Sequence, residues 1–295
     1  MFADHEHILT AIDVGTNSIH MVIVKLQPSL PAFTVIAAEK ATVRLGERCK
    51  QSGHLTEEAM QRAMAALHRC QELSKSLNSE QIIAVATSAV REAPNGRDFL
   101  QAVETKLGLQ IDLISGVEEA RRIYLGVLSG LEFNGQSHVV IDIGGGSTEL
   151  ILGDGHEPRS LSSTKIGAVR LFNEFVSTDP ISNAEFQTLQ AYIRGMLERP
   201  VEELQAHLRP GETFRLVGTS GTIETLAAIH AREHLGMVPS PLQGYSFSLS
   251  DLKDLTQRLR RMNCAERAQL PGMNERRAEI ILSGALILQE AMVLL

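Results

Sequence analysis

One short pattern occurs twice in this chain, and it limits the folds open to it. Asp13-Val14-Gly15-Thr16-Asn17-Ser18-Ile19-His20-Met21-Val22-Ile23 aligns with Asp142-Ile143-Gly144-Gly145-Gly146-Ser147-Thr148-Glu149-Leu150-Ile151-Leu152. Each copy joins two apolar runs through a tight turn rich in small residues, so each reads as strand, turn, strand. A chain that repeats such a unit is most simply two similar halves; two unrelated hairpins are the alternative. The repeat predicts two α/β domains, 1–128 and 129–295, with the boundary near Gly126–Gly135 and a cleft faced by both turns. The 295 residues suit two domains at about 100–200 residues each.

Periodicity fills in each half. In the first, extended runs at Ile8–Val14, Met21–Leu26 and Thr34–Arg44 precede a helix from the N-cap Thr56 to about Leu77. Strand Ile82–Ala86, helix Arg97–Leu107, strand Ile111–Ile114 and helix Val117–Leu128 follow. In the second, strands at His138–Ile143, Thr148–Leu152 and Ser160–Ile166 lead to a helix opened by the capping box Ser182-Asn183-Ala184-Glu185 and ending near Glu198. Strand Arg215–Val217 enters Gly218-Thr219-Ser220-Gly221-Thr222 and a helix to His234, with more helices from Ser250 and Glu275.

Charge narrows the partners. Lys and Arg number 28 against 35 Asp and Glu, a net charge of −7, which argues against a general nucleic-acid binder and so against DNA. A small polyanion remains open, because backbone amides and a few local cations can hold phosphate inside an acidic protein. No run reaches the ~18 apolar residues of a membrane span, since Gln289 and Glu290 interrupt the best candidate, Ile280–Leu295. Met1–Glu6 lacks the basic start and apolar stretch of a secretion signal. Cys49, Cys70 and Cys264 are scattered and form neither a disulfide framework nor a cysteine zinc site. A cytoplasmic protein is expected.

In a strand–turn–strand of this type, small residues let successive backbone N–H groups point at an anion that side chains would otherwise block. Gly15, Thr16, Asn17 and Ser18 form one such turn, and Gly144, Gly145, Gly146 and Ser147 the other. An Asp at the start of each, Asp13 and Asp142, can hold a hydrated Mg²⁺ that bridges phosphate oxygens. Neither turn is a Walker A sequence or a G-x-G-x-x-G. The third small-residue cluster, Gly218, Thr219 and Ser220, can add a helix N-terminus to an anion site. Hairpins with a purely structural role are the competing reading.

Two adjacent carboxylates, Glu118 and Glu119, are separable by position. Ser115 and Glu118 have capping-box spacing, and Glu118 also sits over Arg121 and Arg122. Glu119 borders the apolar stripe of Ala120, Ile123, Tyr124, Val127 and Leu128, so it edges toward a buried face. Partial burial raises a carboxyl pKa and makes Glu119 the better proton acceptor. Glu149 replaces His20 of the first repeat and shares a strand face with Ser147, which points it toward the turn's ligand. Arg44, Arg91, Lys165 and Arg170 are the candidate cations; Arg91 follows a strand end, where α/β ligand sites gather. His230 and His234, at i and i+4, could bind a metal but lack an obvious third ligand.

Eight stretches resemble the exopolyphosphatase / guanosine pentaphosphate phosphohydrolase family: AIDVGTNSIHMVIV at 11–24, VRLGE at 43–47, ATSAVREAPNG at 86–96, ISGVEEARRIYLGV at 114–127, VIDIGGGSTELIL at 140–152, KIGAVRL at 165–171, LVGTSGTIETLA at 216–227 and ERRAEIILSGALIL at 275–288. The resemblance spans nearly the whole chain in order. It implies two actin-like, ribonuclease-H-like domains of the acetate and sugar kinase superfamily around a central cleft. It makes Glu119 the catalytic base, lets Glu149 position water or metal, gives Asp142 a Mg²⁺ and has Gly15–Ser18 and Gly144–Ser147 cradle phosphate. Arg91 matches a phosphate-contacting position. Long members carry further helical carboxy-terminal domains, so the match is to a short form, and a homodimer is compatible with it.

The function expected from the resemblance is removal of the terminal phosphate of inorganic polyphosphate. Conversion of guanosine pentaphosphate (pppGpp) to ppGpp is the alternative. A catalytically weak sensor of either ligand, a kinase of the same superfamily and a nucleotide-gated chaperone or filament module are the rivals.

Overall fold

The computed structural model describes residues 6–27, 29, 32–49 and 51–295; Met1–His5, read above for a secretion signal, lie outside the described residues. The chain forms two compact units, Met1–Ser115 and Gly116–Leu295.

The first unit contains β1 (His7–Val14), β2 (Ser18–Leu26), β3 (Phe33–Thr42), α1 (Glu57–Ser76), β4 (Gln81–Ala86), α2 (Ser88–Arg91), α3 (Gly96–Leu107) and β5 (Asp112–Leu113). Its sheet runs β3-β2-β1-β4-β5, with β2 antiparallel to both neighbours and β4 parallel to β1 and β5. The expected cap is present: the Thr56 hydroxyl accepts from the Ala59 N–H at 3.2 Å. Ala59, Ala63, Ala66, Leu67 and Cys70 of α1 are buried in one core with Ile12, Val14, Ile19 and Met21. Alternation along β2 buries Ile19, Met21 and Ile23 and leaves His20 and Val22 exposed, so one sheet face carries the core.

The second unit opens with α4 (Gly116–Gly130), followed by β6 (His138–Ile143), β7 (Thr148–Gly153), β8 (Ser160–Thr164), α5 (Ala168–Phe175), α6 (Asn183–Gln205), β9 (Arg215–Thr219), α7 (Ser220–Leu235), α8 (Leu249–Arg261), α9 (Cys264–Ala268), a 3₁₀ turn at Glu275–Arg277 and α10 (Ile281–Leu294). Its sheet, β8-β7-β6-β9, repeats the first four positions of the other, again with an antiparallel hairpin and a parallel crossover. Both units thus have ribonuclease-H-like topology, the actin-like class expected from the sequence.

The units divide at Ser115/Gly116, not at the 128/129 boundary read from the repeat. The apolar stripe of α4 explains the difference. Ala120 and Tyr124 pack with Val140 and Ile151, flanked by Ile123, Val127, Leu128, Leu161 and Val217, which joins this helix to the second sheet. With α4 on one face and a larger core on the other, β6 and β7 are almost wholly buried. Helix α6 runs past the expected stop at Glu198, through Pro200, because Leu197, Val201 and Leu204 continue its core-facing row. The Ser182–Glu185 capping box forms as expected.

Candidate active site

Backbone geometry makes the two repeated turns near copies. The Gly15 N–H donates to the Ser18 carbonyl at 3.1 Å, and the Gly144 N–H to the Ser147 carbonyl at 2.9 Å. A second segment supports each turn through its carbonyls. Val43 and Arg44 donate to Asn17 and Gly46 to Thr16, while Ala168 donates to Gly144 and both Val169 and Arg170 to Gly145. Among the described residues, no acceptor pairs with the amides of Thr16, Asn17, Gly145 or Gly146. Amides left over in this way are what an anion recognises. Gly46 and Gly167 permit the close support: an added Cβ would lie 2.4 Å from the Thr16 methyl and 2.5 Å from the Gly145 backbone.

In the second unit the turn borders an acidic cluster. Asp142 and Glu149 are directly opposed across β6 and β7, where paired side chains lie on one face. Glu149 is 1% exposed and accepts from the Ser163 hydroxyl at 2.7 Å and from Ser147. Burial, then the neighbouring charges of Glu119 and Asp142, push its pKa well above the ordinary carboxylate range. Glu119, on the first turn of α4, is half-buried and is thereby brought to the two sequence-distant carboxylates. Glu118, one residue earlier, is held elsewhere: both its oxygens accept from Arg121, at 2.8 and 2.9 Å, and Arg122 adds a bond at 2.7 Å. Those bonds lower its pKa to about 2.

The third small-residue cluster lies beside the same residues, since Thr219 is the register partner of Asp142. Ser220 opens α7 at φ 83°, a left-handed conformation that costs a residue with a Cβ about 1–3 kcal/mol. Its hydroxyl donates to the Ile143 carbonyl at 2.9 Å, which ties this junction to the end of β6.

Sequence reasoning missed Arg277. Its guanidinium donates to the Thr222 hydroxyl at 3.3 Å. Burial lowers its pKa, opposed by the charges of Glu224 and Asp142. A desolvated cation facing Asp142 suits a phosphate oxygen. The only signal was its place in the ERRAEIILSGALIL stretch. Arg170 donates to the Gly146 carbonyl at 2.9 Å, so it braces the turn, and Lys165 is exposed. In the first unit, Asp13 is exposed opposite His20, and Arg91 donates to the Ile114 carbonyl at 2.8 Å.

A tri-carboxylate cluster beside an amide-lined turn on this topology defines a phosphoryl-handling protein of the actin-like class. The model of the Ppx/GppA phosphatase family matches residues 22–295, and the chain belongs to that family. It is 33% identical over 297 residues to exopolyphosphatase 2 of Mycobacterium tuberculosis, covering 96% of this chain and 89% of that one. With exopolyphosphatase 1 of Mycobacterium leprae it shares 31% over 288 residues, or 96% and 82% of the two chains. The crystal structure of an exopolyphosphatase from Cytophaga hutchinsonii superposes with a TM-score of 0.88 at 28% identity, covering 98% and 91% of the two chains. Among the described residues, no helix is long and apolar enough to cross a membrane.

Proposed function

We infer that the protein is an exopolyphosphatase, a phosphoanhydride hydrolase that releases the terminal phosphate of inorganic polyphosphate. The observation carrying this reading is the convergence of Glu119 with Asp142 and Glu149 beside a turn with unpaired amides.

The donor set fits a hard divalent cation, for which Mg²⁺ is our choice: Asp142 and Glu149 offer carboxylate oxygen, and a buried like-charge cluster is relieved by a cation. When bound, the cation would neutralise charge on the phosphate oxygens. The Gly145 and Gly146 amides of the Gly144–Ser147 turn, the Gly218–Ser220 junction and Arg277 bind and orient the terminal phosphoryl group. Gly15–Ser18, Asp13, Arg91 and Lys165 remain proposed contacts for phosphate or metal.

Glu119 accepts a proton from the attacking water as its oxygen bonds to the terminal phosphorus. The bridging P–O bond breaks, and the shortened chain leaves with its electron pair. Phosphoryl transfer passes through a loose transition state, so positioning and charge stabilisation supply most of the rate.

The test is phosphate release from polyphosphates of defined length and from pppGpp, with and without Mg²⁺. Cation-dependent release from polyphosphate, faster than from pppGpp, is expected. Faster release from pppGpp would transfer the assignment to that substrate, and tight binding without release would make the protein a sensor.

A further inference from the structure

Helix α7 carries a second group of potential ligands that the phosphatase reading does not use. His230 and His234 stand one turn apart, and α8 supplies the third ligand that the sequence did not reveal: Asp251. One ligating atom from each lies within 4.8 Å of the other two. Tetrahedral zinc with bonds of ~2.0–2.1 Å needs ligand spacings of about 3.3 Å, so modest rotations of His234 and Asp251 close the set. We propose that His230, His234 and Asp251 bind a transition-metal dication, zinc by preference, which clamps α8 to the end of α7.

Tautomers support the assignment. His234 Nδ1 lies 2.9 Å from the His230 carbonyl, which can only accept, so that nitrogen carries the proton and Nε2 presents its lone pair. His230 Nδ1 lies 2.6 Å from the Tyr245 hydroxyl, an outer partner of the type that orients metal-binding imidazoles. His230 is 9% exposed, and its Nε2 is buried without a hydrogen-bond partner among the described residues. That nitrogen faces Asp251 Oδ2 at 3.6 Å, beyond hydrogen-bonding range. A buried polar atom in that state needs an explanation, and a metal supplies one.

The electrostatic setting agrees. Both histidines lie in the last two turns of α7, where the carbonyl ends of a helix favour positive charge. The nearby Arg258 is paired to Glu233 by two bonds of 2.9 and 2.7 Å, so it does not present an unbalanced charge. Two imidazoles and one carboxylate are a borderline donor set suited to zinc or cobalt, in contrast to the all-oxygen cluster at Asp142 and Glu149.

The test is titration of the EDTA-treated full chain with Co²⁺, followed by visible absorption and calorimetry, with Zn²⁺ added as competitor. One equivalent of Co²⁺ should give the intense bands of a four-coordinate site, and Zn²⁺ should displace it. H234Q and D251N should each abolish the bands; H234Q changes an exposed residue, and D251N keeps a cap acceptor for Ser248. Y245F should weaken binding about 10- to 100-fold, whereas D142N should leave the bands intact. Circular dichroism of each variant verifies folding. Absence of bands in the wild type, or bands unchanged in both H234Q and D251N, would overturn the proposal, because His230 would then be a packed ring beside Tyr245.

Discussion

The two repeated turns share a backbone and differ in what surrounds them. Both close with the same amide-to-carbonyl bond, and both begin with an Asp. In the first unit that Asp opposes an exposed His20 on a sheet whose second face is open. In the second it opposes a buried Glu149 under a helix that delivers Glu119. A backbone that can receive an anion is therefore only the base of the site. In the proposed mechanism, proton transfer and cation binding come from one substitution on β7 and one added helix.

The two turns should differ most sharply through Glu119. Glu119→Gln should lower kcat for polyphosphate by about 10²–10⁴ while leaving KM near wild type, as expected for loss of a general base; single-turnover phosphate release measures it. Unchanged turnover would return the two turns to equal standing. Next, Asp142→Asn should lower kcat/KM by about 10²-fold, in keeping with the several kcal/mol a cation contributes at developing charge. Asp13→Asn should cost less than about tenfold, and steady-state assays across Mg²⁺ concentrations compare the two.

A third expectation concerns stability. The pKa of Glu149 is raised in the folded state, so its favourable contribution is complete below the ordinary carboxylate value. That contribution fades as pH climbs through the raised value. Glu149→Gln should therefore raise the melting temperature of the cation-free protein at pH 8, where the native carboxyl resists ionisation, with little change at pH 4. Calorimetry at the two pH values checks both signs. The smallest effect belongs to Glu118→Gln, because that side chain serves Arg121 and Arg122 at the surface; turnover should change by less than about twofold.

Local chemistry made much of this legible. The placement of Asp142, Glu149 and the turns was legible because short spacings fix strand alternation and hairpin geometry. Glu119 was separable from Glu118 because helical periodicity assigns each a face. Arg277 was not, since its link to Thr222 joins segments whose proximity depends on the packing of α10 and α7. Asp251 was hidden for the same reason, as α8 brings it to His230 from another helix. The unit boundary followed the burial of Tyr124, Val140 and Ile151, which outweighed the spacing of the repeats.

The membership of α4 has a practical consequence for dissecting the chain. A fragment starting at residue 129 would lack Glu119 and leave the face of Val140 and Ile151 bare to water, inviting aggregation. Cutting before Gly116 keeps helix α4 and its sheet together. A synthetic peptide of residues 116–130, offered to the shorter fragment, would be the natural piece for complementation.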